Sequence, residues 1–122
     1  MRDKPDHYSV QAQREGFPAR SVYKLKEIDE KFRIVRKESN IIDIGASPGS
    51  WTLYVCRKLN GTGSITAVDL KALADNIKCS NLKFYKDDAF SMSFQKAAVE
   101  NGPYDSVISD AAPSTTGNRT VD

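Results

Sequence analysis

Five small residues, Gly45-Ala46-Ser47-Pro48-Gly49, follow the run Ile41-Ile42-Asp43-Ile44 and precede a stretch with helical spacing. Small side chains let the backbone approach a ligand, and a helix N-terminus behind them offers free N–H groups to an amino-acid carboxylate. The spacing is G-x-x-x-G with a proline inside it. The G-x-G-x-x-G fingerprint of a dinucleotide diphosphate site is therefore not met, which argues against an oxidoreductase. Asp69, Asp88 and Asp110 each close an apolar run. A carboxylate with two acceptor oxygens suits the paired hydroxyls of an adenosine ribose, the role expected of Asp69. Asp88 is expected to accept from an adenine amino group, the competing reading being a turn aspartate that caps the next helix. Asp110 has a similar alternative as a cap near Pro113. Lys24 sits at the edge of a helical apolar stripe, where its ammonium either reaches into a crevice or snorkels over the surface.

These groups must be carried to one place. The first 16 residues read as an extended or weakly helical arm. Phe17-Pro18 then opens a helix predicted over Ala19 to Ile34, with Val22, Leu25, Ile28 and Phe32 forming its apolar stripe. Strands are predicted over Ile41 to Ile44, Ser64 to Val68, Leu82 to Tyr85 and Ser106 to Ile108, with a helix from Trp51 to Leu59 after the first. In an open parallel sheet ligands bind just beyond the carboxyl ends of the strands, so Gly45, Asp69, Asp88 and Asp110 are expected around one crevice. Residues 17–122 are expected to form one domain, a helical segment 17–38 followed by a Rossmann-like core 39–122.

At 122 residues, 39% apolar and 28% charged, the chain has the composition of one folded domain. No run of 18 apolar residues and no charged-then-apolar leader is present, so neither a membrane span nor a secretion signal is expected, and the cytoplasm is the expected compartment. Cys56 and Cys79 lack a partner motif and are expected to be reduced core thiols; the missing ligand spacing predicts no metal. Ten Lys/Arg face seven Asp/Glu through Glu38, and eight face nine beyond it. Arg2, Lys4, Arg14, Arg20, Lys24 and Lys26 are candidates for a phosphate-binding surface, an ordinary solvated face being the alternative. His7 has no expected catalytic role, and Trp51 and Tyr23 are read as packing residues.

Four stretches carry a resemblance. Glu15-Gly16-Phe17-Pro18-Ala19-Arg20-Ser21-Val22-Tyr23-Lys24-Leu25, Ile42-Asp43-Ile44-Gly45-Ala46-Ser47-Pro48-Gly49-Ser50-Trp51, Ala67-Val68-Asp69-Leu70 and Ser109-Asp110-Ala111-Ala112-Pro113 resemble, in content and order, the FtsJ/RrmJ family of ribosomal RNA 2′-O-methyltransferases. The resemblance implies a Rossmann-like α/β fold using S-adenosylmethionine. It places the methionine end of the cofactor on the loop Gly45 to Trp51, including Ser50 where many members have glycine. It places the ribose on Asp69 with Leu70 beside it, the adenine on Asp88 and the backbone of Ala89, and Asp110 at the cofactor and the reacting hydroxyl. Lys24 and Asp110 fall on the first two positions of the family's Lys-Asp-Lys-Glu catalytic set. A cationic Lys24 would orient the 2′-hydroxyl and a neutral one would take its proton; both remain open.

The same resemblance implies an RNA substrate, large-subunit ribosomal RNA before transfer or organellar ribosomal RNA. A non-catalytic RNA-binding module with the same fold is the opposing reading. The family continues beyond the position of Asp122, so the chain is expected to be truncated after its fourth strand and catalytically feeble. Its strands are expected in the order 3-2-1-4, with the fourth as an edge that invites self-association and a disordered tail from Ser114 to Asp122.

Overall fold

The computed structural model describes residues 6–110. Readings placed on Arg2, Lys4, Ala111-Ala112-Pro113 and the tail 114–122 lie outside them. The elements are α1 (His7–Arg14), α2 (Val22–Phe32), β1 (Asn40–Ile44), α3 (Ser50–Leu59), β2 (Ser64–Asp69), β3 (Leu82–Lys86), α4 (Met92–Asn101) and β4 (Ser106–Ser109). The four strands pair in parallel in the order β3-β2-β1-β4, the Rossmann-like order expected, with β4 at an edge.

Strand residues alternate between two faces, as the period of two requires. Ile41, Ile65 and Ile108 meet Val22, Leu25, Val55 and Leu59 of α2 and α3 on one face, while Ile42 and Val68 meet Phe94 of α4 on the other. Fully burying each such side chain is worth about 1.5–3 kcal/mol, so Leu59→Ala, in the middle of the larger layer, should cost about 2–5 kcal/mol.

The N-terminal segment departs from expectation in three ways. The arm holds a regular helix, α1, because Asp6 caps it: one carboxylate oxygen accepts from the N–H of Tyr8 at 2.8 Å and of Ser9 at 3.1 Å. The second helix starts at Val22 and not at Ala19. Residues ahead of it are held in place by α3: Ser50 Oγ accepts from Ala19 N–H and donates to Ala19 O, and Trp51 Nε1 donates to Ser21 O at 2.9 Å. The helix then stops at Phe32, where Arg33 takes the left-handed conformation (φ 53°). Phe32 is consequently 65% exposed and does not join the core stripe.

Asp29 holds that helix end to α3. Its carboxylate accepts from Val35 N–H and Tyr54 Oη, each at 2.7 Å, and pairs with Lys58 at 3.2 Å. Burial works to raise its pKa, but the Val35, Tyr54 and Lys58 donors prevail and the net shift is downward.

Cys56 and Cys79 are joined in a disulfide, against the expectation of two reduced thiols. The pairing is made by the connection between β2 and β3, which folds back over α3 and brings Cys79 against Cys56, an approach that a separation of 23 residues does not reveal. Ala74 N–H donates to Pro48 O, and Ser47 Oγ to Ala72 O, so the same connection also braces the glycine loop.

Candidate active site

The turn after β1 is built by backbone hydrogen bonds and glycine conformations. Gly45 and Ala46 N–H both donate to Val68 O, and Gly45 (φ 74°) and Gly49 (φ 115°) occupy the left-handed region. A Cβ on Gly49 would come within 2.9 Å of Ile77. Gly49 therefore serves close packing of the β2–β3 connection, and it does not line the cavity. Ser50 begins α3 at negative φ, so a side chain is accommodated there, and its hydroxyl is spent on Ala19.

Beyond the carboxyl ends of β1, β2 and β4 lies a cavity of about 270 Å³. Gly45, Ala46, Ser47, Pro48, Ser50, Trp51, Asp69 and Asp110 border it. Ser21, Asp43 and Lys71 border it as well. Trp51 is buried and its indole N–H is taken by Ser21, consistent with a packing role at the wall. Asp69 is fixed by two backbone donors, Ser47 N–H on Oδ2 at 2.8 Å and Lys71 N–H on Oδ1 at 2.9 Å. Each oxygen retains acceptor capacity for a hydroxyl.

The sequence reading missed Asp43, along with Ser21 and Lys71. Asp43 is 1% exposed, on the α3 side of β1, with Oδ2 accepting from Thr52 Oγ1 at 2.8 Å and Oδ1 without a hydrogen-bond partner among the described residues. Burial raises its pKa to about 7; the Thr52 hydrogen bond opposes the rise, and the nearby Asp110 and Asp69 charges add to it. The signal was present as a carboxylate inside an isoleucine run, where an ionisable group is expensive unless a partner arrives. Three carboxylates facing one small cavity at a helix N-terminus suit a ligand that carries both positive charge and a carboxylate. No group of three His, Cys, Asp or Glu among the described residues is placed to hold a metal ion.

Other expected site residues lie outside this cavity. Asp88 is exposed and accepts from Phe90 N–H at 2.9 Å, while Ser91 caps α4, so Asp88 is not the helix cap of the competing reading. Ala89 packs on the layer around Phe94. Leu70 is exposed just past β2, and Phe90 and Met92 are exposed just past the neighbouring β3. Lys24 borders a separate groove, and Ser21 borders both the groove and the cavity.

The model of the FtsJ-like methyltransferase family matches residues 17–122. "Ribosomal RNA large subunit methyltransferase E" of Treponema denticola is 50% identical over 119 residues, 98% of this chain and 60% of its own length. The protein of the same name from Oleidesulfovibrio alaskensis is 44% identical over 124 residues, 100% of this chain and 59% of its own. The chain thus spans about 60% of the length of the curated relatives it matches. Among solved structures, one from Plasmodium falciparum, provisionally described as a ribosomal RNA methyltransferase, is 29% identical with a TM-score of 0.66, covering 84% of this chain and 60% of that one. The MycE methyltransferase of mycinamycin biosynthesis, solved with SAH, is 23% identical with a TM-score of 0.53 over 87% of this chain and 27% of its own, a likeness of fold alone. On a family match that takes in every residue from Phe17 onward, the chain belongs to the FtsJ-like methyltransferase family.

Proposed function

We propose that this chain supplies the S-adenosylmethionine site and the first two catalytic groups of an RNA ribose 2′-O-methyltransferase that acts on large-subunit ribosomal RNA. The observation that carries the reading is the cavity at the sheet's carboxyl edge, where Asp43, Asp69 and Asp110 converge on the N-terminus of α3. The relatives' shared name supports the choice of substrate.

S-adenosylmethionine, when bound, supplies an electrophilic methyl group on a sulfonium. Backbone N–H groups of the glycine loop and the first turn of α3 receive its carboxylate, and the buried Asp43 Oδ1 gains a cationic neighbour. Asp69, already fixed by Ser47 and Lys71, accepts from the ribose hydroxyls. Asp88 and the backbone of Ala89 take the adenine edge, with Leu70, Phe90 and Met92 at hand as apolar cover. Asp110 from the cavity and Lys24 from the groove hold the target 2′-hydroxyl and its proton. Their main contribution is to position the oxygen for in-line attack.

Two measurements test this reading. Calorimetry with S-adenosylhomocysteine should show Asp69→Ala weakening binding by about 1.5–3 kcal/mol. In the complete protein, Lys24→Ala should keep that affinity, and both Lys24→Ala and Asp110→Ala should lose most transfer of labelled methyl to ribosomal subunits, with naked ribosomal RNA and transfer RNA as comparison substrates. Unchanged affinity in a folded Asp69→Ala variant, or parental turnover in the other two, removes those residues from the site.

A further inference from the structure

The groove that meets the cavity at Ser21 has a volume of about 550 Å³ and is walled by α1 on one side and α2 on the other. Its charges are ordered along α2. Lys24 and Lys26 lie on the early turns, and Glu27 and Glu30 follow, so the cationic part is the part next to the cavity. Facing them from α1 is Tyr8, 49% exposed although it is a large aromatic.

Tyr8 is held in position by neighbours on three sides. The Arg20 guanidinium lies over its ring, 5.3 Å from the centroid, and is itself fixed by Asp6 at 2.9 Å. Tyr23 packs against it at 5.8 Å between centroids, and its own hydroxyl is anchored to Glu15 at 2.7 Å. His7 meets it edge-on at 5.2 Å. An aromatic so restrained and still half exposed loses little entropy when something stacks on it. A planar π-surface opposite a lysine is the pairing that unpaired nucleotides require: base on ring, phosphate on ammonium. A base inside a duplex, stacked on both faces by its neighbours, would offer no free face to the ring.

We propose that this groove receives an unpaired nucleotide of the RNA strand adjoining the methylated ribose, its base stacked on Tyr8 and its phosphate on Lys26, with Lys24 left to the reacting hydroxyl. The inference rests on the RNA substrate of the preceding section and adds to it a local requirement: the strand beside the target must be single. Tyr8 is a positioning residue, since it touches neither the cofactor nor the reacting oxygen.

The test is fluorescence anisotropy of a labelled, unpaired RNA hexamer with the purified chain, and of a hairpin carrying the same sequence as duplex. Tyr8→Leu keeps apolar packing against Tyr23 but removes the aromatic plane, and Tyr8→Phe keeps the plane but removes the hydroxyl. The expected result is a loss of hexamer affinity of about 5- to 150-fold for Leu, the range of one base–aromatic stack, with Phe within about twofold of the parent and the hairpin bound more weakly by all three. Calorimetry with S-adenosylhomocysteine on the same samples should show one common affinity. Hexamer affinity that is equal in Leu and parent, or lost equally in Phe and Leu, overturns the proposal, as does tighter binding of the hairpin. A parent that fails to bind S-adenosylhomocysteine counts against the cofactor reading and leaves the Tyr8 comparison to stand or fall by the RNA data.

Discussion

A buried carboxylate with one oxygen unbonded among the described residues is a cost to the ligand-free chain, and Asp43 carries that cost. Its folded pKa of about 7 lies above the ordinary carboxylate value of 3.8, so the unfolded chain ionises first as pH rises. Stability therefore falls as pH climbs from about 4 toward 7 and levels off above. Asp43→Asn keeps an acceptor for Thr52 and removes the charge; at pH 8 it should stabilise the ligand-free chain by about 2–4 kcal/mol, with little effect near pH 4. The same change should weaken S-adenosylmethionine binding, because the cation loses its counter-charge. Thermal melts at the two pH values, with calorimetry beside them, check both halves; an equal melting difference at both pH values would contradict the assignment. Asp43 was hidden in plain view: the pattern around it speaks of a strand, and only the fold shows that its side chain faces the same cavity as Asp69 and Asp110.

Elements whose limits are set locally were legible, and those set at a distance were not. Each strand lies within about a residue of its predicted span because the β-branched or aromatic runs stop at Gly45, Asp69, Asp87 and Asp110. The start of α2 depends on Ser50 and Trp51, some 30 residues later, and its end on Asp29 reaching Val35 and Tyr54. Asp29→Asn should cost about 1.5–3 kcal/mol, because the charge-assisted bonds from Val35 N–H and Tyr54 Oη become neutral or are lost, while the half-exposed Lys58 ammonium stays hydrated. Since the folded pKa of Asp29 is lowered, its contribution is complete above the ordinary carboxylate range and disappears as pH falls through the folded value. Melts of parent and variant should accordingly converge in acid; a gap that persists there would show that charge is not its source. The Cys56–Cys79 bridge is a second distant constraint, closing a separation of 23 residues. Reduction should lower stability by about 3 kcal/mol, and the Cys56→Ser/Cys79→Ser double variant should melt with the reduced parent, irrespective of reductant.

For the molecule as a whole, the order β3-β2-β1-β4 follows from strands that succeed one another through crossovers, and the sheet brings the ends of β1, β2 and β4 to one cavity. What the sequence pattern left unstated is how thin the division is between that cavity and the groove beside α2. Ser21 belongs to both walls, and its carbonyl is held by the Trp51 indole at 2.9 Å. A residue shared by both walls gives two ligands a route by which each biases the other's affinity. Whatever free energy the first spends or saves in settling Ser21, the second inherits with the same sign and size. S-adenosylhomocysteine should therefore change the affinity for an RNA hexamer by the same factor by which the hexamer changes the affinity for S-adenosylhomocysteine. Trp51→Phe, which keeps an aromatic ring at the wall and releases the carbonyl, should bring that common factor toward one. Titrating each ligand with and without the other, in parent and variant, measures it; a factor unaffected by the indole would mean that Ser21 is a partition and nothing more.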